Sequence, residues 1–195
     1  LSSSSAASDV YKRQVESWSI CSEDVDWISR KGNLPYDEYK KWYWGLKDSL
    51  NPVNFNPEQW AEVMQDAGIK YMIFTTKHHD GFCLWPSRYT THTVAASSYR
   101  DGKGDIVKEV SEACKRHGLD FGIYLSPWDR NNYLYGQGKP YDDYFVNQLT
   151  ELLTQYGPIF AVWFDGACGE GPNGKKQYYD WERYYAVSYT HLRAH

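Results

Sequence analysis

From about residue 54 onward, hydrophobic and polar positions switch between a helical period and short apolar runs. Residues 57–67 begin with a proline suited to the first helical position and end before Gly68, which predicts a helix. Its apolar residues recur at helical spacing on one face: Trp60, Val63, Met64 and Ala67. Residues 71–75 form a short run rich in strand-forming side chains, so a β-strand is expected to follow this helix.

The same pair of segments recurs twice. The expected elements are a helix over 105–117, a strand over 119–125, a helix over 141–156 and a strand over 159–164. Asp105 is the predicted N-cap of the first helix, and Gly118 and Gly157 are the predicted stops. The residues expected to face inward are Ile106, Val110, Ala113 and Cys114 in one helix and Phe145, Leu149, Leu152 and Leu153 in the other.

Helices alternating with short strands predict βα units around a parallel sheet, and nearly continuous apolar strands predict burial of both sheet faces. The long, polar loops follow the strands, at 76–104, 126–140 and 165–177. This asymmetry is typical of a (β/α)8 barrel, which carries its active residues at the carboxyl ends of the strands. A complete barrel needs about 250 residues. The expected fold is therefore an α/β, partial (β/α)8 TIM-like barrel with about half of the βα units present; a doubly wound sheet is the alternative.

The two ends of the chain differ from this pattern. Residues 1–14 are rich in Ser and Ala, then basic, with no apolar core of a secretory signal. Residues 187–195 show neither helical nor strand periodicity. Residues 1–14 are predicted to be a non-native or disordered segment and residues 187–195 a non-native segment, which leaves 15–186 as the informative fragment of the barrel.

Composition narrows the classes of partner. The chain has 195 residues and a formal net charge of −4 without a basic run, which argues against nucleic-acid binding. No apolar stretch approaches the roughly 20 residues that span a bilayer, so no membrane partner is expected. Aromatic residues make up 17% of the chain and suit surfaces that stack on sugars. The four cysteines are far apart in the sequence, form no C-x-x-C motif and are expected to be unpaired thiols.

The first loop after a strand opens with Lys77-His78-His79-Asp80. Histidines at a strand end can bind a metal or hydrogen-bond a polyhydroxylated ligand. Successive strand residues point to opposite faces, so a metal site using both imidazoles needs a sharp turn, and sugar contact is the preferred interpretation. The alternative is a structural role, with both histidines bracing the strand.

The third such loop opens with Trp163-Phe164-Asp165-Gly166. A carboxylate there can attack an anomeric carbon, stabilise an oxocarbenium ion or bind a cation, while Trp163 on the same side can form an apolar wall for a sugar. The alternative makes Asp165 the cap of an Asp-Gly turn. Trp128 in the middle loop, with Tyr133 and Tyr135, is a candidate rim for a second sugar or a solvated loop aromatic.

One further motif is discounted. Residues 169–174 satisfy the G-x-G-x-x-G dinucleotide pattern after a strand, but a proline and an asparagine within them favour a turn over the required helix.

The motifs KHHDGFCLW, GIYLSPWD, QLTELLTQYG and WFDGACGEGPNGKKQYYDW, in this order, resemble the α-L-fucosidases of the retaining glycoside hydrolase family 29. The resemblance implies a barrel fold and a fucosylated oligosaccharide or glycoconjugate as substrate, with no cofactor. It implies that Asp165 is the nucleophile, that His78 and His79 contact fucose hydroxyls, and that Trp163 lines the sugar site. Trp27 and Tyr124 are further sugar contacts by the same resemblance. The region from Lys77 onward is most similar to the branch that favours α-1,3/1,4-branched fucosides.

The resemblance also defines what is missing. The family's first barrel strand, with its histidine, has no counterpart, and the general acid/base glutamate is expected beyond residue 185. The intact protein is expected to be secreted or periplasmic, and the 195-residue chain alone to hydrolyse little or nothing. Two rivals remain open: a non-catalytic, lectin-like fucose-binding module, and a metal-dependent hydrolase using His78, His79 and Asp165.

Overall fold

The computed structural model describes residues 17–20 and 31–192. These residues contain five α-helices and three β-strands: α1 (Tyr36–Gly45), α2 (Pro57–Asp66), β1 (Tyr71–Lys77), α3 (Ile106–Arg116), β2 (Asp120–Leu125), α4 (Lys139–Gln155), β3 (Val162–Phe164) and α5 (Trp181–His191). Short 3-10 turns lie at Ser17–Ile20, Lys31–Asn33, Leu46–Ser49, Val94–Ala96 and Tyr99–Gly102.

The three strands form one parallel sheet in the order β1-β2-β3. Helix α3 connects β1 to β2, and α4 connects β2 to β3, so each connection is a βα crossover of the kind a parallel sheet requires. All three helix–strand pairs expected from the sequence are present. The α/β class with a parallel sheet is confirmed.

The predicted helix boundaries are set by local chemistry. The Asp105 carboxylate accepts a hydrogen bond from the Lys108 amide at 2.9 Å and caps α3, as expected. Gly118 and Gly157 follow α3 and α4 with φ of 67° and 79°, a conformation that glycine adopts without a Cβ penalty. The sequence signals for starts and stops are therefore confirmed at these helices.

Helices cover one face of the sheet. On that face Phe121, Ile123 and Leu125 of β2 are buried in the same core as the predicted inward residues of α3 and α4. The expectation that both faces are buried is wrong for the described residues. Strand residues alternate in direction, and Trp163 on the opposite face is 58% exposed. The apolar face of α2 is also open, since Trp60 is 45% exposed.

The C-terminal segment is helical where no periodicity was expected. Helix α5 runs to His191. Asp180 caps its start by accepting a hydrogen bond from the Arg183 amide at 3.1 Å. The helix is stabilised by Tyr184, which is fully buried against Phe145 with ring centroids 4.4 Å apart. Residues 187–191 are therefore helical although their sequence shows no helical periodicity, while the non-native origin of 187–195 stays a prediction. The predicted N-terminal segment 1–14 lies outside the described residues.

The structure also bears on membrane-spanning helices and on the state of the cysteines. None of the helices in the described residues is both long and apolar enough to span a bilayer. Cys83, Cys114 and Cys168 are free thiols, as expected. Burial raises the pKa of the Cys114 thiol to about 11, consistent with an inert core residue.

A buried histidine makes the fold sensitive to acid. His92 lies edge-on to the rings of Trp44 and Phe82, and burial lowers its pKa to about 4. Above pH 6.5 it is neutral whether folded or unfolded, but between pH 6.5 and 4 only the unfolded chain binds the proton, so the free energy of unfolding falls. We expect His92→Phe, which keeps an aromatic ring there, to remove about 2–3 kcal/mol of that loss.

The measurement is the free energy of urea unfolding of both proteins from pH 7 to pH 4. Burial raises the pKa of the Asp80 carboxyl to about 6, which acts in the opposite sense and is present in both proteins. The difference between them therefore isolates His92, and parallel pH profiles would contradict the assignment.

Candidate active site

Asp165 follows the last residue of β3 and presents its carboxylate at the carboxyl end of the sheet. Its Oδ1 accepts a hydrogen bond from the Ala167 amide at 2.8 Å, and its Oδ2 accepts one from the Tyr124 hydroxyl at 2.7 Å. The two expectations for this residue are therefore compatible, since one oxygen caps the turn while the other faces the neighbouring strand. The paired hydrogen bonds fix the plane of the carboxylate.

The environment keeps Asp165 ionised. Its partial burial alone would raise the pKa, but the hydrogen bonds from the Ala167 amide and the Tyr124 hydroxyl stabilise the anion and hold the pKa below its ordinary value. A carboxylate of low basicity that remains exposed on one side is suited to act as a nucleophile and then as a leaving group.

His78 and His79 both lie beside this carboxylate, with ring centroids 4.0 Å apart. The expectation that they point to opposite faces is wrong, because β1 ends at Lys77 after a register irregularity between Thr75 and Lys77, and the alternation of a strand no longer applies. The Nε2 of His79 lies 3.8 Å from Asp165 Oδ2. One ligand atom from each of the three residues falls within 4.8 Å of the others, so this trio could also hold a metal ion.

A hydrogen-bond chain sets the tautomer of His79. The Ser126 hydroxyl donates to the Trp128 carbonyl at 2.8 Å, so its oxygen accepts from His79 Nδ1 at 2.7 Å. The Nε2 of His79 then carries a lone pair and has no hydrogen-bond partner among the described residues. Burial, followed by the neighbouring His78, lowers the pKa of His79 to about 3, and burial also lowers that of His78. Both rings are therefore neutral at physiological pH and can accept from a hydroxyl.

Aromatic rings surround these polar groups. Trp163 pairs with Tyr124 across the sheet and projects from the open face, while the Tyr124 ring stacks on His78 at 5.7 Å with 15° between the planes. Trp18 contacts His79 edge-on at 5.0 Å. Thus Asp165, His78, His79, Tyr124 and Trp163 are brought together as expected, and Trp18 is an additional wall that sequence reasoning missed.

Trp128 does not have the expected position. It is only 6% exposed, its ring packs on His79 at 4.8 Å, and its Nε1 donates to the Glu170 carbonyl at 3.1 Å. It is therefore neither a solvated loop aromatic nor an exposed rim for a second sugar, because it fills the space behind His79. Tyr135 is likewise fully buried, whereas Tyr133 is 72% exposed. Trp27 lies outside the described residues.

A buried ion pair lies next to the two histidines. Lys77 and Asp129 have side chains that are 0% and 1% exposed, and Lys77 Nζ lies 3.2 Å from Asp129 Oδ2 and 2.9 Å from Gln148 Oε1. Next to this pair, the Arg130 amide donates to the His79 carbonyl at 2.8 Å. The sequence pattern does not identify Lys77 or Asp129 as members of a buried ion pair. The one indication is that a lysine stands at the end of an apolar strand.

The loop after Asp165 packs tightly on Trp128. A Cβ added to Gly169 would meet the Trp128 ring at 2.1 Å, whereas one added to Gly166 meets no heavy atom within 4 Å. Gly169→Ala should therefore lower the free energy of unfolding by about 1–3 kcal/mol through overpacking, while Gly166→Ala changes it by about 0.5 kcal/mol or less. Urea unfolding of the two variants checks this, and equal effects would show that the Gly169 contact is not tight.

The comparisons with known proteins bear on this geometry. A family model described as Alpha-L-fucosidase matches residues 4–195. Alpha-L-fucosidase 1 of Arabidopsis thaliana is 47% identical over 131 residues, which cover 67% of this chain and 26% of that protein. Plasma alpha-L-fucosidase of Rattus norvegicus is 36% identical over 124 residues, covering 59% and 26%.

The solved structures that resemble this chain carry similar names. The crystal structure of a putative alpha-L-fucosidase from Bacteroides ovatus superposes with a TM-score of 0.70 at 53% identity, covering 73% of this chain and 24% of that chain. A glycoside hydrolase 29 family member from an unknown rumen bacterium gives a TM-score of 0.65 at 46% identity, covering 74% and 27%. The chain spans about a quarter of the length of the curated relatives it matches. Since the family model extends over nearly the whole sequence, this chain belongs to the α-L-fucosidase family.

Proposed function

We propose that the protein to which this chain belongs is a retaining exo-α-L-fucosidase, and that Asp165 is its nucleophile. The observation that carries the proposal is the placement of an ionised, oriented carboxylate beside two neutral imidazoles and an exposed tryptophan at the carboxyl end of a parallel sheet. This is where a (β/α)8 barrel holds its catalytic groups, and we propose that the three strands are part of such a barrel.

In the first step, Asp165 attacks the anomeric carbon of a terminal α-linked L-fucose. A carbon–oxygen ester bond forms to the enzyme, and the bond to the aglycone oxygen breaks as that oxygen takes a proton from a general acid. In the second step, water gives a proton to the same group, now a base, and displaces Asp165 to release fucose with its original α configuration. The low pKa of Asp165 favours this second step, because a weakly basic carboxylate leaves readily.

The neighbouring side chains bind the sugar. The unpartnered Nε2 of His79 accepts a hydrogen bond from a fucose hydroxyl, and His78 accepts or donates a second one. The face of Trp163 packs on the apolar side of the ring. Tyr124 acts as a positioning residue, since its hydroxyl donates to the nucleophile rather than to open space.

The acid/base partner should be a carboxyl group about 5–5.5 Å from Asp165, as in retaining enzymes. Glu170 is close in sequence but contributes its backbone carbonyl to Trp128 and Arg130, and its side chain is exposed. We therefore propose that the partner comes from outside the residues described here.

The substrate is proposed to be a fucosylated glycan with α-1,3 or α-1,4 branches. Turnover of a branched Lewis-type trisaccharide and a linear α-1,2-fucoside by the whole protein tests this directly. We expect faster turnover of the branched substrate, and faster turnover of the linear one would overturn the linkage assignment.

Stereochemistry tests the reaction itself. Proton NMR of the whole protein acting on an aryl α-L-fucoside should show α-L-fucose as the first product, before mutarotation produces the β anomer. First release of β-L-fucose would mean a single displacement by water and would remove Asp165 from the nucleophilic role.

A further inference from the structure

Three potential metal ligands converge at the open face of the sheet, among the groups proposed to bind and attack the sugar. His78, His79 and Asp165 each offer an atom within 4.8 Å of the others. Two imidazoles and a carboxylate form a donor set typical of zinc sites that keep a fourth position open.

His79 is already prepared as a ligand. Its Nδ1 donates to Ser126, which leaves an Nε2 lone pair that is buried, unpartnered among the described residues and 3.8 Å from Asp165 Oδ2. A second hydrogen bond that fixes the tautomer is the usual support of a metal-bound histidine. The ring of His78 is also oriented, since its Nδ1 lies 2.5 Å from the Ser17 hydroxyl oxygen.

The distances require only a small closure. Ligand atoms about 2.1 Å from a tetrahedral zinc ion lie about 3.4 Å apart, so the trio must draw in by roughly an ångström. His78 and Asp165 are only partly buried and can make this movement, while His79 is held in place. The exposed side of the site leaves room for water as the fourth ligand.

We propose that His78, His79 and Asp165 bind a divalent transition-metal ion of the zinc type, and that this ion inhibits by occupying the groups that receive the sugar. A carboxylate bound to a cation is a much weaker nucleophile, and the ion occupies the position that the sugar would take, so the ion blocks the reaction. Metal binding follows from the geometry alone; the exclusion of fucose rests on the proposed function.

Cobalt(II) titration of the 195-residue chain tests the metal site, since a four-coordinate Co²⁺ ion with nitrogen and oxygen ligands has strong visible absorption. The wild-type chain should bind one ion with this spectrum, and Zn²⁺ should displace it. Asp165→Asn and His79→Gln should abolish the spectrum. Ser126→Ala, which keeps all three ligands but frees the His79 tautomer, should weaken binding by about 10–100-fold.

The matched control is His117→Gln. His117 lies on the surface beside Glu58, with 3.2 Å between its Nε2 and the carboxylate, and is the other described histidine that pairs with an acid. It should leave Co²⁺ binding unchanged. Absence of the spectrum in the wild-type chain, its persistence in Asp165→Asn and His79→Gln with circular dichroism unchanged, or its loss in His117→Gln would each overturn the proposal.

Competition with L-fucose separates the two proposals. Displacement of Co²⁺ by L-fucose supports mutual exclusion. Calorimetric binding of both fucose and the ion without mutual effect overturns the exclusion. Metal binding at the trio with no fucose binding, with or without the ion, would count against the proposed sugar site while leaving the metal site intact.

Discussion

Replacing Asp165 by asparagine in the whole protein should lower the turnover of an aryl α-L-fucoside by about four orders of magnitude or more, while L-fucose still binds. Asparagine keeps an oxygen for the Ala167 amide but cannot form the ester with the anomeric carbon. The nucleophile takes part only in the chemical step, so its loss should appear in kcat rather than in the Kd for fucose. Steady-state kinetics and calorimetry measure the two effects separately.

A smaller replacement sharpens this test. Asp165→Gly leaves a space next to Tyr124 that azide can enter, and azide attacking from that side gives β-L-fucosyl azide. Glu170→Gln is the matched control, because Glu170 is a nearby acid whose carboxylate is exposed and whose contacts are made by its backbone carbonyl. It should change turnover by no more than a few-fold. Retention of activity by Asp165→Asn, or an equal loss in Glu170→Gln, would contradict the assignment.

Lys77→Met should be the most destabilising of the substitutions considered, with a loss of about 3–5 kcal/mol in the free energy of unfolding. The substitution removes the cation that faces Asp129 in a site without solvent, and it also removes a contact 5.2 Å above the Tyr144 ring. Asp129 would remain buried, and its remaining donors among the described residues would be the Asn131 and Asn132 amides and the Tyr144 hydroxyl. Urea unfolding of the chain measures the loss.

The matched control is the ion pair of Lys139 and Asp143, with 2.7 Å between Nζ and Oδ2 and Lys139 78% exposed. Because water screens this pair, Lys139→Met should cost about 0–1 kcal/mol. The double substitution Lys77→Met/Asp129→Asn leaves no unpaired buried charge. It should therefore recover part of the free energy of unfolding that Lys77→Met loses. Similar losses for the two lysines would mean that burial of the Lys77 pair does not determine its contribution.

Local signals in the sequence were sufficient for the βα units. Asp105 and the glycines after α3 and α4 define helix ends through interactions within a few residues, and apolar periodicity identifies which residues face the core. Whether the sheet face that carries Trp163 and the apolar face of α2 are buried depends on which other elements pack against them. The periodicity of each segment does not contain that information. Helix α5 was missed for a related reason, because its stabilisation comes from Tyr184 packing on Phe145 of α4.

The site was predictable in its membership but less so in its geometry. Strand ends identified His78, His79, Asp165 and Trp163, and the resemblance added Tyr124. The convergence of the two histidines depends on β1 ending at Lys77, one residue before His78, and strand alternation predicts the opposite arrangement. The burial of Trp128 depends on Gly169, more than 40 positions away, approaching its ring. Such contacts between distant loops leave no periodic signal.

Covalent labelling of the whole protein with 2-deoxy-2-fluoro-L-fucosyl fluoride would identify the nucleophile directly. Fluorine at carbon 2 slows both steps, and fluoride is a good leaving group, so the glycosyl-enzyme accumulates and can be found by mass spectrometry of peptides. We expect one 2-fluorofucosyl group, attached to Asp165 and absent in Asp165→Asn. A label on another carboxylate, or full activity with no label formed, would contradict it.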